Sequence, residues 1–322
     1  MTRRRWGWLL AGLLLGGAAM AAKFYFVRPG MTEYAAHLYG AAAGSGELSA
    51  SWFGTTAVLL SDGEHALMVD PFFTRPPGFL NVVLNRSIAP DQELIARWLE
   101  RAGVAKLDAV LVSHSHYDHA MDAGVVAMLT GARLMGSAST LNVGRGAGMP
   151  EDRLRPAVSP ASFGPFRVSF IESRHAGASG GRPTGDIEQP LAAPAHYMDY
   201  RQGGTYSILI EHPQGSVLHH GSAGFVPGAL SGRRADVVFL GVALIDELAP
   251  YLAETVDRVG ARRVIPVHWD DFLRPLDEPP RPFPAAVRLD KFFAGMQRLR
   301  PEVAVQTLEV AKRVALFPRG TP

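Results

Sequence analysis

The chain has 322 residues, of which 47% are hydrophobic, and its formal net charge is +2 with histidine neutral. This length allows one large domain or two small ones, and the apolar content is sufficient for a sizeable core. The sequence has no basic tract interleaved with aromatic residues, which argues against a nucleic-acid partner. The absence of cysteine excludes disulfides, thiolate metal ligands and a cysteine nucleophile.

The N-terminus has three arginines at 3–5, followed by an uncharged apolar segment at 6–22. This arrangement is typical both of an uncleaved membrane anchor and of a removable signal peptide. Residues 19–21 offer a small-x-small cleavage site, whereas the aromatic residues 24–26 extend the apolar stretch. We therefore expect residues 1–27 to be an anchor in the inner membrane with the remainder exported, or else a cleaved signal of a secreted or periplasmic protein. A buried N-terminal core helix is the alternative.

The remainder is expected to form one domain. Residues 28–47, rich in alanine and glycine, are predicted to be a linker, and residues 48–322 the domain. Apolar patterning and turn signals predict strands at 49–53, 56–60, 66–69, 107–112, 132–135, 166–172, 206–211, 216–219, 235–243 and 263–267. The same signals predict helices at 93–101, 125–129, 247–259 and 285–299, a loop at 81–87, and a strand-like alternation at 303–317.

The most informative motif lies at 113–119, directly after the apolar strand predicted at 107–112. Its polar side chains are His114, His116, Asp118 and His119. Imidazole nitrogen and carboxylate oxygen are donors that zinc accepts, and a tight turn can direct alternate donors to two neighbouring ions. The motif therefore predicts a divalent-metal site at the carboxyl end of a strand. A polar loop that is rich in histidine by chance is the alternative.

The spacing H-x-H-x-D-H after an apolar strand resembles the signature of the metallo-β-lactamase superfamily. The segments DPFFTRP, GSAGF and IPVHWDD strengthen the resemblance, which covers roughly residues 48–318. The sequence is most similar to the branch of ascorbate-phosphate lactonase-like proteins and N-acylphosphatidylethanolamine phospholipase D. This resemblance implies an α/β fold, a four-layer αβ/βα sandwich with the ligand loops along one edge.

The resemblance also implies two further ligands. His175 follows the strand predicted at 166–172, where the family has the third ligand of its first metal, and His268 ends the strand predicted at 263–267, at the position of the last ligand. The first zinc would then be held by His114, His116 and His175, and the second ion by Asp118, His119 and His268.

Three further positions bear on the metals. The family has a bridging aspartate where this chain has Ser222, and a neutral hydroxyl is a poor zinc ligand. We therefore expect one zinc to be bound firmly and a second more weakly. His220, on the same face of a predicted strand as Ser222, is either a replacement ligand, a proton relay, or a buried hydrogen-bonded histidine. Asp70 is either an outer acceptor that orients a ligand ring or a strand-end cap.

Residues 176–204 are rich in glycine and proline and are predicted to be a functional loop. The loop contains four polar side chains that could reach a substrate: Asp186, His196, Tyr197 and Asp199. A solvated loop without such contacts is the alternative for each of them.

The implied function is a zinc-dependent hydrolase in which a metal-bound hydroxide attacks an ester, lactone or phosphodiester. Asp118 would also orient the nucleophile. A small molecule or a lipid could be the substrate, and a membrane anchor would favour a lipid or a cell-envelope component. The alternatives are a non-catalytic metal-binding scaffold and a one-metal hydrolase, both suggested by Ser222, and a divalent metal other than zinc.

Overall fold

The computed structural model describes residues 6, 12, 15–17, 28–76, 78–158, 160–177, 183–284 and 286–318. Two seven-stranded sheets contribute to one shared core, and helices cover their outer faces. The four-layer αβ/βα sandwich predicted from the sequence is thereby confirmed. Strands and helices are numbered below in chain order within the described residues.

The first sheet is built mainly from the N-terminal half of the chain. Its strands are β1 (Ser49–Trp52), β2 (Val58–Ser61), β3 (Ala66–Val69), β5 (Ala109–Leu111), β6 (Arg133–Gly136), β7 (Leu154–Pro156) and β16 (Val314–Ala315). Their order is β16-β1-β2-β3-β5-β6-β7, and β3, β5, β6 and β7 run parallel. The helices of this half are α1 (Phe79–Val83), α2 (Gln92–Arg101), α3 (Tyr117–Ala120), α4 (Ala123–Thr130) and α5 (Ala138–Gly146).

The second sheet contains β8 (Ala161–Phe163), β9 (Phe166–Glu172), β11 (Tyr206–His212), β12 (Gly215–His220), β13 (Val237–Gly241), β14 (Arg263–Val267) and β15 (Ala304–Val305). Their order is β15-β14-β13-β12-β11-β9-β8, and β12, β13 and β14 run parallel. The helices α6 (Leu248–Leu252) and α7 (Leu289–Leu299) belong to this half. A two-stranded ribbon joins β4 (Ser87–Ile88) to β10 (Ala195–His196).

The inner strands of the first sheet are apolar on both faces. In β3, Leu67 and Val69 belong to the core shared with the second sheet, whereas Met68 packs in the cluster that includes the α2 side chains Trp98 and Leu99. A strand covered on both faces needs a continuous apolar run and not an alternating one. In β5, which precedes the histidine motif, Leu111 likewise lies in the shared core and Val110 in the other cluster, which explains why this segment is so uniformly apolar.

Most predicted elements are found within a few residues of their predicted bounds, but the C-terminal segment is not. The prediction of one strand-like alternation at 303–317 is wrong, because β15 and β16 lie in different sheets. A turn separates them, in which Lys312 N–H donates to Glu309 O and Ala311 has a φ of 59°. The left-handed backbone at Ala311 redirects the chain from one sheet to the other.

Three helices also differ from the sequence prediction. The loop expected at 81–87 includes part of α1, and α5 was not predicted although Ser137 caps it by accepting from Thr140 N–H at 3.2 Å. The helix predicted at 285–299 begins only at Leu289. These segments are short or rich in glycine, serine and proline, so tertiary contacts and not local propensity determine their conformation.

The segment predicted as a linker, 28–47, contacts the domain. Tyr34 and Tyr39 join the shared core, and the Tyr39 hydroxyl donates to Ala315 O at 2.7 Å. The predicted anchor or signal, 1–27, lies almost entirely outside the described residues. Within the described ranges, no helix combines the length and the apolar composition that crossing a bilayer requires.

Candidate metal centre

Six side chains converge where strands of both sheets end. The turn after β5 and the start of α3 carry His114, His116, Asp118 and His119, while His175 follows β9 and His268 follows β14. Loops at the carboxyl ends of parallel strands meet along one edge of a sheet, which is where open α/β layers bind ligands. We call the part of the molecule that carries these six residues the ligand edge.

The first donor group consists of three imidazoles, from His114, His116 and His175, with one nitrogen of each within 4.8 Å of the others. His116 Nε2 lies 3.3 Å from Pro183 O, and His175 Nδ1 lies 2.9 Å from Ala176 O. A carbonyl oxygen only accepts, so these nitrogens carry the hydrogen and the other ring nitrogen keeps its lone pair. Backbone carbonyls therefore prepare two rings of this group to act as metal ligands.

The second donor group consists of Asp118, His119 and His268, again within 4.8 Å of one another. Asp118 Oδ2 lies 3.3 Å from His268 Nε2 and 3.7 Å from His119 Nε2. Two imidazoles and a carboxylate are a donor set that accepts zinc and similar transition metals.

Asp70 lies beneath the histidine motif and orients part of it. Its carboxylate accepts hydrogen bonds from Ser113 N–H at 2.6 Å, Ser113 Oγ–H at 2.6 Å and His119 Nδ1–H at 2.9 Å. His119 therefore carries its hydrogen on Nδ1 and presents the Nε2 lone pair to the second group. Asp70 thus has the position of an outer acceptor for a ligand ring, and it is also at the end of β3.

The electrostatics of the centre favour the protonation states that metal binding requires. Burial acts to raise the pKa of Asp118, but the imidazoles of His119 and His268 outweigh it and hold the pKa well below its usual value. Burial and the neighbouring imidazoles hold the pKa of His114 well below its usual value. At neutral pH, Asp118 is therefore an anion and His114 a neutral base.

Buried ring nitrogens provide a direct test of whether these residues fit a metal. His114 Nε2 and His119 Nε2 are buried and have no hydrogen-bond partner among the described residues. Leaving a buried polar nitrogen unsatisfied costs about 1 to 3 kcal/mol. A divalent ion at each group would satisfy them, so the residues fit the metals that the sequence implies.

The backbone around His268 adopts uncommon conformations. Thr55, Asp70 and His268 have φ values of 45°, 46° and 58°, in the left-handed region that non-glycine residues rarely enter. His268 N–H donates to Thr55 O at 2.6 Å, and Thr55 N–H donates to Asp270 Oδ1 at 2.6 Å. Asp270 therefore supports the backbone of His268 through Thr55, and residues held in such strained positions cluster at functional sites.

His220 ends β12 and Ser222 follows it, but the two side chains differ in position. His220 is buried, with Nδ1 2.7 Å from Ser207 Oγ and Nε2 2.9 Å from Gly224 O, and burial lowers its pKa to about 4. Both ring nitrogens are thus occupied, as in a buried hydrogen-bonded histidine. Ser222 Oγ accepts from Ala176 N–H at 2.8 Å, which places the hydroxyl beside the loop of His175.

Of the four polar loop residues predicted to reach a substrate, Tyr197 lines the cavity described below, and the other three make contacts elsewhere. His196 Nδ1 lies 2.7 Å from Asn85 O, and Asp186 accepts from Ser139 Oγ at 3.1 Å. Asp199 accepts from His196 N–H at 2.9 Å. These contacts hold the loop in place and leave the tyrosine to face the centre.

Two further residues near the centre, Thr56 and His219, were not predicted to contact it. Thr56 Oγ1 lies 2.9 Å from His119 Nδ1, and Thr56 O lies 2.8 Å from His219 Nε2. Thr56 is far from the motif along the chain and belongs to the turn before β2, so only the fold brings it to the centre. His219 was visible next to His220, but nothing in the pattern showed on which face of β12 it lies.

The centre opens into a cavity of about 270 Å³. Donors from both groups and Ser222 line it together with apolar walls that include Tyr117, Tyr197, Leu244, Phe272 and Phe283. A mostly apolar cavity with a few convergent polar groups is the usual form of a small-molecule site.

Comparison with known proteins identifies the family of this chain. A family model described as "Beta-lactamase superfamily domain" matches residues 65–269. A "UPF0173 metal-dependent hydrolase" of Myxococcus xanthus is 26% identical over 270 residues, covering 81% of this chain and 83% of the relative. A protein of the same name from Pyrobaculum arsenaticum is 27% identical over 225 residues, covering 69% of this chain and 84% of the relative. Igni18, a metallo hydrolase of Ignicoccus hospitalis, is similar in fold, with a TM-score of 0.52 at 16% identity over 83% of this chain and 97% of that one.

Proposed function

The chain belongs to the metallo-β-lactamase superfamily as a metal-dependent hydrolase, and from that premise we propose that it uses zinc to hydrolyse an ester, a lactone or a phosphodiester. One observation carries the proposal: two groups of three donors open into the same cavity. A site with this arrangement can bind the scissile group next to two ions.

His114, His116 and His175 would hold the first zinc, and Asp118, His119 and His268 the second ion. A zinc with an open coordination position lowers the pKa of bound water to about 7 and so supplies a nucleophile at neutral pH. The nitrogen-rich donors support zinc or a similar transition metal over magnesium or calcium, which prefer oxygen ligands.

The chain's own residues contribute orientation and exclusion of water. Asp118 is anionic and lines the cavity, so its carboxylate can accept a hydrogen bond from the attacking water and orient it. Asp70 fixes the ring of His119 from below. Phe272 and Phe283 line the cavity with apolar surface that limits access of bulk water.

Ser222 bears on the number of ions. The second group lacks the bridging carboxylate expected at this position, so less negative charge is available to hold two cations close together. We propose that the first zinc binds firmly and the second more weakly. A one-metal hydrolase is the second candidate, and Ser222 is the observation that favours it.

The cavity walls and the N-terminal residues bear on the substrate and on the cellular location. The resemblance to the lactonase-like and phospholipase D branch and the apolar walls of the cavity support a lipid or a cell-envelope component. The basic and apolar residues at 3–22 support an inner-membrane protein whose domain lies on the exported side, or a periplasmic protein if the segment is cleaved.

Metal analysis of the purified full chain followed by a hydrolysis screen tests the proposal. We expect bound zinc and hydrolysis of at least one class among ester, lactone and phosphodiester reporters. Chelation should abolish that hydrolysis and added zinc should restore it. Zinc binding with no hydrolysis of any reporter would support the non-catalytic scaffold instead, and absence of metal binding would refute the proposal.

A further inference from the structure

Exposed apolar side chains occur on segments that line the cavity. Leu80 and Val83 of α1 are 69% and 60% exposed, and Leu84, which follows α1, is 59% exposed. Met198 and Leu244 are 41% and 39% exposed, and both also line the cavity. Large apolar side chains that cluster outside a core indicate a surface that binds a partner.

The helix α1 is part of the cavity mouth and not a separate protrusion. Val82 of this helix lines the cavity. Directly after the helix, Asn85 accepts from Met198 N–H through Oδ1 at 2.9 Å, and its carbonyl lies 2.7 Å from His196 Nδ1. These bonds join α1 to the loop that carries Met198, so the exposed side chains form one surface with the rim of the cavity.

Arg28, the first residue after the N-terminal apolar segment, contacts the domain beside this cavity. Arg28 Nη1 donates to Asp271 Oδ2 at 2.8 Å and to Pro282 O at 2.9 Å. The residues next to these two acceptors are Phe272 and Phe283, which line the cavity. Arg28, which directly follows the mainly apolar residues 6–27 in the sequence, is therefore held beside the aromatic wall.

Charge is distributed so that one side of the mouth suits a lipid surface. Residues 78–88 contain one charged side chain, Arg86, which is exposed and matches lipid phosphate groups. Elsewhere at the cavity, Asp246 and Glu247 follow the lining residue Leu244 and are exposed, which favours contact with water. Lipid contact is thus expected to centre on α1.

We propose that the cavity mouth, with α1 at its centre, rests on the lipid bilayer that the N-terminal segment enters. The substrate then reaches the cavity from that surface as an amphiphile whose apolar chain lies against the aromatic wall. Burial of apolar side chains in the interface and attraction of basic side chains to lipid phosphates both contribute to interfacial membrane binding. The contact with lipid is independent of the metal assignment, whereas the substrate class rests on the proposed function.

The absence of cysteine in the chain allows single labelling sites. We suggest attaching a fluorophore to Leu84→Cys in the full chain, reconstituted in phosphatidylcholine vesicles. Met128→Cys is the matched control, because Met128 is 43% exposed near the end of α4, which runs back from the ligand edge. Nitroxide-bearing lipids should quench the label at 84 and leave the label at 128 unaffected, while aqueous iodide should quench only the label at 128.

Equal iodide quenching at both positions would overturn the proposal. A label at 84 that is shielded from iodide but not quenched by nitroxide lipids would also overturn it, because a second copy of the chain would then cover the patch.

A second readout tests delivery of the substrate. The double variant Val83→Ser/Leu84→Ser should lose hydrolysis of a long-chain reporter embedded in vesicles and keep that of its water-soluble short-chain homologue. The control Met128→Ser/Leu129→Ser should keep both activities. Equal activity of the two variants on the embedded reporter would refute delivery from the bilayer. Failure of the natural chain on the soluble reporter would instead refute the proposed function, and the quenching result would still decide the lipid contact.

Discussion

The two donor groups of the ligand edge differ in charge and in what supports them. The first group is three imidazoles, and backbone carbonyls fix two of the rings. The second group contains the anionic Asp118 and is supported from below by Asp70. A site of three neutral imidazoles is a complete zinc site with one open position, whereas the second group depends on negative charge. The serine at 222 should therefore affect the second group more than the first.

The largest effect is expected from removing a donor of the first group. His116→Ala removes an imidazole that no neighbouring side chain can replace. Loss of an outer partner of a metal ligand already costs roughly 10- to 100-fold, so we expect zinc affinity and hydrolysis to fall by more than about 100-fold. Zinc titration and the reporter assay measure both quantities.

His65→Ala is the matched control for that experiment. His65 is a half-buried histidine whose Nδ1 lies 3.2 Å from Asp108 Oδ2 and not near the donor groups. It should leave zinc content and hydrolysis unchanged. Unchanged zinc content and activity in His116→Ala would refute the assignment of the first group.

A smaller effect, confined to the second group, is expected from Asp70→Asn. The change removes the charge that holds His119 in its tautomer, while the amide oxygen can still accept from Ser113. We expect the affinity for the second ion to fall by roughly 10- to 100-fold and that for the first ion to change little. Asp108→Asn, at the other end of β5, is the control. A comparable loss at both ions would show that Asp70 supports the whole motif and not one group.

Ser222→Asp should strengthen the second group. A carboxylate at this position would add negative charge beside both donor groups, and we expect the affinity for the second ion to rise by at least about 10-fold, equivalent to about 1.4 kcal/mol. Ser222→Asn introduces a side chain of similar size to aspartate but without its charge, and it should not have this effect. Equal affinities in the two variants would show that charge at position 222 does not control the second ion.

The smallest effect on the metals is expected from His220→Gln. Both nitrogens of His220 are hydrogen-bonded, so metal content should remain unchanged. Its effect should be on stability. The pKa of the folded ring is about 4, whereas the unfolded ring takes a proton near pH 6.5, so protonation between these values favours unfolding.

This contribution to the free energy of unfolding is complete above pH 6.5 and decreases by up to about 3 kcal/mol as the pH falls to about 4. Urea unfolding of metal-free protein at several pH values should show that the glutamine variant lacks this part of the acid dependence. Loss of zinc in the variant would instead identify His220 as a ligand.

The ligand edge was largely predictable from the sequence, and the reason lies in strand ends. His114 and His116 follow an apolar run, and His175 and His268 follow two further predicted strands, so the packing of the two sheets brings these strand ends together. The position of Asp70 follows in the same way from the end of β3. The local sequence pattern and the overall fold agree at these positions, so the site residues can be predicted from a single sequence.

Other features depend on contacts between distant segments. Thr56 reaches His119 only because β2 and the motif lie close together in the fold. The helix α1 has five residues, too few to show a helical period, and its exposed apolar side is visible only in the structure. The hydrogen bonds of His220 likewise require β11 to pair with β12. Sequence periodicity does not encode such contacts.

Zinc stoichiometry of the unmodified chain tests the difference between the two groups most directly. The full chain should be saturated with zinc, dialysed against metal-free buffer and analysed for bound metal. We predict one equivalent after dialysis, rising toward two only when zinc is present in excess. Two equivalents that survive dialysis would contradict the account, because the second group would then hold its ion firmly without a carboxylate at position 222.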